Sequence, residues 1–86
     1  MKHTDTVTNY PGNNEELVEA LGNLYYDSLA DFLRQLSEKM QKDGEADSDR
    51  GRPKLAAELL ACSQHLQVAA KHIDAAWIIC KPYVDK

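Results

Sequence analysis

From Leu55 onward, apolar residues return at alternating steps of four and three: Leu55, Leu59, Cys62, Leu66, Ala69, Ile73, Ala76 and Cys80. That spacing keeps one side of an α-helix apolar along its whole length, the pattern of a helix laid lengthwise on other helices. Pro53 suits the first turn, where a missing N–H costs nothing, and the ring of Pro82 would clash with the turn before it. A helix is therefore predicted over about 53–81, with Tyr83 and Val84 following as a short tail able to fold back.

An earlier series, Val18, Leu21, Tyr25, Leu29, Phe32, Leu36 and Met40, recurs at helical spacing, with Asn23, Asp27, Asp31, Arg34, Glu38 and Gln41 on the opposite stripe. Asn13 followed by Glu16 is a variant of the capping box, and Glu15 and Glu16 complement the positive end of a helix dipole. Lys39 and Lys42 suit a C-terminal turn, and Gly44 is placed to end it. These signals predict a first helix over about 14–43. Residues 44–52 are charged and punctuated by glycine, and read as an exposed loop. Residues 1–12 hold Thr4, Asp5, Thr6 and Thr8 without any period, then the turn signal Tyr10-Pro11-Gly12, and read as a flexible tail.

The fold class expected is all-α: a single domain over 13–86 built as an antiparallel two-helix hairpin. Each helix would run about 28 residues, or about 42 Å. A hairpin buries only one side of each helix, and the second helix is apolar over more than that. Ala57, Ala61, Val68 and Ile79 widen its arc on one flank, Ala70 and Trp77 on the other, leaving a narrow stripe of Ser63, Gln64, Gln67, Lys71 and Asp74. So wide an arc calls for a second chain, most simply a homodimer closing a four-helix bundle, with another helical protein as the competing partner. The residues expected to carry assembly are Leu59, Leu66, Ile73 and Trp77 on the second helix, with Tyr25, Leu29, Phe32 and Leu36 opposite. Tyr26, at the border of the first helix's apolar face, can anchor a partner.

Composition narrows the class of function. The chain has 86 residues, 43% apolar, with fourteen acidic and ten basic side chains for a net charge of −4. That is one small domain, marginal without a staple or partner, and its acidity disfavours broad binding to nucleic acid or anionic membranes. Residues 1–14 hold no apolar run, and Lys71 and Asp74 interrupt the most apolar stretch, so neither a signal peptide nor a membrane span is expected. The reading is a soluble cytoplasmic protein. Cys62 and Cys80 lie eighteen positions apart on one predicted helix, about 27 Å at helical rise and beyond any intrachain disulfide. Buried structural thiols are the plainer expectation.

Three constellations could carry chemistry. Glu58, Cys62, His65 and His72 share one flank of the second helix, and helical bundles build metal sites from inward carboxylates and histidines. A single hairpin offers no second histidine-bearing helix, so two chains would be needed to complete the ligand set, and half-buried amphipathic histidines are the simpler reading. Cys62 with His65 as its base would need an orienting third group, an oxyanion hole and a cleft, none of which has a sequence signature here. Ser28, Ser37 and Ser63 lie within helices, where they fill tight contacts or face water. No enzyme activity and no cofactor are expected.

The third is Arg50-Gly51-Arg52-Pro53-Lys54, which resembles the core of an AT-hook, the motif that lays an extended Arg-Gly-Arg into the minor groove of A·T-rich DNA. The resemblance implies Arg50 and Arg52 in the groove and Lys54 nearer the phosphates. It covers five residues, preceded by Glu45, Asp47 and Asp49 where such motifs usually have basic flanks. A solvated connection whose proline starts a helix is the competing reading. The function expected is a small helical interaction module, an adaptor or regulatory subunit. The metal-binding bundle and the DNA contact are its alternatives.

Overall fold

The computed structural model describes residues 3–84; residues 1, 2, 85 and 86, at the ends of the expected tail and domain, lie outside them. The chain is all-α, with α1 at Asn14–Gly22, α2 at Tyr26–Asp49, α3 at Pro53–Cys80 and a 3-10 turn at Lys81–Tyr83. Among the described residues there is no strand.

α1 begins as its capping residues dictate. The Asn13 side chain accepts from the Glu16 N–H at 2.8 Å, and Glu16 Oε1 accepts from the Asn13 N–H at 3.1 Å. The single helix expected over 14–43 is instead two. The chain leaves helical geometry at Asn23–Tyr25, where Tyr25 is extended with φ −53° and ψ 143°. The apolar period runs from Leu21 to Tyr25 unbroken and hides the break. Its signal is the adjacent pair Gly22-Asn23, poor helix formers both. α1 buries no residue; nearly all contact between elements is α2 on α3.

The expected loop over 44–52 shrinks to three residues, because α2 runs on through Gly44 to Asp49. Gly44 does not end the helix; it permits a crossing. A Cβ there would stand 2.9 Å from Leu60 Cγ and 3.3 Å from the Ala56 carbonyl oxygen, so only glycine lets α3 come this close. Gly51, with φ +76°, supplies the left-handed turn, and Pro53 takes the first turn of α3.

Contacts pair Arg34 with Asp74, Ser37 with Ser63 and Gly44 with Ala56, so α2 and α3 run in opposite directions, as in the helical hairpin expected. Their seam differs from the expected one. On α2 it is Ala30, Ser37 and Gly44, on α3 Ala56, Ser63 and Ala70, all buried and each series spaced by sevens. The leucine ladder Leu55–Cys80 and the series Tyr25, Leu29, Phe32 and Leu36 lie to one side of that line. Small side chains set the closest approach of two helices, because interaxial distance follows the groups at the contact. Among the described residues no large apolar side chain is buried, and the largest fully buried ones are Asp47 and Ser37. The Cα trace measures 49 × 29 × 14 Å, a thin slab.

Candidate interaction surface

The seam is fixed by hydroxyls. Ser37 Oγ donates to the Ser63 carbonyl at 2.8 Å and Ser63 Oγ donates to the Ser37 carbonyl at 2.8 Å. Each hydroxyl has one proton, so this reciprocal pair uses both and satisfies two buried polar groups at once.

One broad face of the α2–α3 pair is ionic. Arg34 forks onto Asp74 across the seam at 2.8 and 3.2 Å, and reaches Asp31 on its own helix at 2.9 Å. The hydrogen-bonded guanidinium holds the Asp74 carboxyl below the ordinary carboxylate range, with burial opposing it. Arg34 is in turn held protonated, first by Asp74 and then by Asp31. Gln67 and Lys71 line the same face.

The other broad face is apolar. At 100° per residue, Phe32 and Leu36 on α2, and Cys62, Leu66 and Ile73 on α3, turn to the side of the seam away from Arg34 and Asp74. Phe32 is 39% exposed, Leu36 37% and Leu55 42%, while Leu29, Leu59, Leu66 and Ile73 are half-buried. Tyr25 stands edge-on to Trp77 with ring centroids 6.1 Å apart. These two rings, with Leu24, Tyr26, Cys80 and Val84, line a cleft of about 290 Å³ at the open end of the pair. Of the eight residues expected to carry assembly, Leu29, Phe32, Leu36, Leu59, Leu66 and Ile73 lie on or beside this flank, whereas Trp77 continues the seven-residue series of the seam itself and meets Tyr25 at its open end.

At the turn end a second cleft, of about 390 Å³, is lined by His3, Lys39, Met40, Asp43, Ala46, Asp47 and Arg50. Asp47 is fully buried, with Arg50 and Arg52 each 3.5 Å from its Oδ1. Neither carboxylate oxygen is hydrogen-bonded. The arginines neutralise the charge without aligning on it. The AT-hook resemblance required these five residues to be extended. Here Arg50 caps α2, Arg52 precedes α3, and Pro53 and Lys54 are helical.

The four metal candidates do not come together. Glu58, Cys62, His65 and His72 are all exposed along α3. No group of three or more His, Cys, Asp or Glu side chains among the described residues is placed to hold a metal. Cys62, expected as a buried structural thiol, is exposed, and Cys80 is half-buried. No helix among the described residues is long and apolar enough to cross a membrane. In comparisons with family models, curated proteins and solved structures, the chain matched none.

Proposed function

We propose that this chain is a small protein–protein interaction module, an adaptor or regulatory subunit whose apolar flank docks against helices of a partner to complete a bundle. The observation that supports the reading is the division of labour among its side chains. Alanine, serine and glycine form the closest contact of α2 with α3, where Leu60 packs on Gly44, while Phe32, Leu36 and Leu55 stand exposed to one side of it and Leu29, Leu59, Leu66 and Ile73 are only half-buried there. Burying such a side chain stabilises by roughly 1.5–3 kcal/mol, and a lone pair of helices collects only part of it. A flank of this kind opposite an ionic face is the signature of a docking surface.

A photo-reactive amino acid at Leu36 or Leu66, in the native cell, is expected to give protein adducts. The same probe at Gln41 or Gln67, outside the flank, should give few. Equal yields from both sets, or none from the flank, would overturn the reading.

A further inference from the structure

Resting on that reading, we infer that the occupant of the apolar flank is a second copy of this chain, the two flanks closing face to face about a two-fold axis as a four-helix bundle. Three observations converge on it.

The first is area. α2 and α3 side by side present a flank about 36 Å long and about 20 Å wide, on the order of 700 Å². That is close to the roughly 800 Å² that each partner buries in a standard stable interface. The flank is thus large enough to support a dimer and no larger than one copy can cover.

The second is charge. The chain carries −4 overall, so two copies repel unless the meeting faces are neutral. The flank positions Phe32, Leu36, Leu55, Leu59, Leu66 and Ile73 are uncharged. Arg34, Asp31 and Asp74 are turned to the other side and tied to one another. On α2 charge begins at the turn end, where Lys39 and Asp43 cancel at 2.7 Å, and on α3 it begins at the outer border, where Glu58 stands exposed on the same edge as His65 and His72. An isologous contact brings every group against its own copy's surroundings, so a flank bearing one sign of charge would reject itself. The centre of this flank bears no charge, and Glu58 stands only at its outer border, so the contact calls for no partner of opposite charge.

The third is closure. Two antiparallel helices laid on two others bury both flanks in one step and leave the ionic faces outward, whereas a single foreign helix would cover only part of either.

Cys62 lies on the flank and is exposed in the single chain, which makes its thiol a native reporter. The full chain is examined from about 1 µM to about 1 mM by light scattering and by the rate of Cys62 modification, using a Cys80→Ser background. The expected result is a mass that doubles with concentration and a Cys62 labelling that is lost in step. Phe32→Asp with Leu36→Asp, two exposed positions outside the seam, is expected to return the mass to one chain with helicity and Cys62 reactivity retained. One-chain mass throughout with unchanging Cys62 reactivity overturns the second copy, as does a mass above two chains. Should the double variant unfold, the wild-type mass and labelling still decide. Failure here remains distinct from failure of the module: adducts from Leu36 to a different protein would leave the docking surface standing, and no adducts would remove both.

Discussion

Two glycines in this chain act for different reasons, and substitution separates them. Gly44→Ala gains up to about 1 kcal/mol of helix propensity but drives a methyl into Leu60 and the Ala56 carbonyl, and overpacking of this kind costs about 1–3 kcal/mol. A net loss near 1 kcal/mol is expected in urea denaturation. Gly51→Ala meets no atom within 4 Å, yet its φ of +76° costs an L-residue about 1–2 kcal/mol. Gly51→Asn should lose less, because asparagine tolerates that region; Gly44→Asn should not be rescued in this way. Asp47 presents a second asymmetry. Removing the carboxylate leaves only arginines already half in water, so Asp47→Asn should cost less than about 1 kcal/mol. Arg50→Ala with Arg52→Ala strands a buried charge and should cost about 3 kcal/mol or more, read from the same denaturation curves.

For the elements, the cross-helix link between Arg34 and Asp74 gives the pair of rods a pH dependence whose sign is fixed. The folded Asp74 carboxyl titrates below its unfolded counterpart, so the contribution is complete above the ordinary carboxylate range, about pH 4. It is lost as pH falls through the folded value. Both side chains are 42% exposed, so the effect is modest and weakened by salt. Asp74→Asn should remove this part of the acid-side loss of thermal stability while leaving the slope above about pH 5 unchanged. α1, without a buried residue, should exchange its amide hydrogens well before the middle of α2 and α3, which hydrogen exchange on the intact chain will report.

Much of the element plan was legible in the sequence. Asn13 and Glu16 mark the start of α1, Pro53 the start of α3, and Pro82 lies just past its end, because caps and prolines act through local backbone chemistry. The seam was not legible from the greasiest residues. Leu55 to Cys80 makes a better helical stripe than Ala56, Ser63 and Ala70, but closest approach is decided by size, and the readable signal was small residues recurring by sevens in both halves. The same oversight turned Gly44 into an end and made the acidic run after it a loop, since contact with α3 outweighs the unfavourable propensity there.

In the molecule as a whole, small residues set the closest contact, and Phe32, Leu36 and Leu55 stand exposed beside it. That arrangement predicts that the flank tolerates conservative exchange better than the seam does. Leu36→Met should leave stability within about 1 kcal/mol of wild type, whereas Ala30→Leu, forced between the rods, should cost about 3 kcal/mol or unfold the chain. Thermal melts monitored by circular dichroism distinguish these outcomes.

The crossed serines have one more effect. Sliding either rod by a single turn would break both of the reciprocal hydroxyl–carbonyl bonds at once, so the pair favours one alignment of the helices, like a vernier. The outer leucines are thereby held as a ridge of constant phase along the pair.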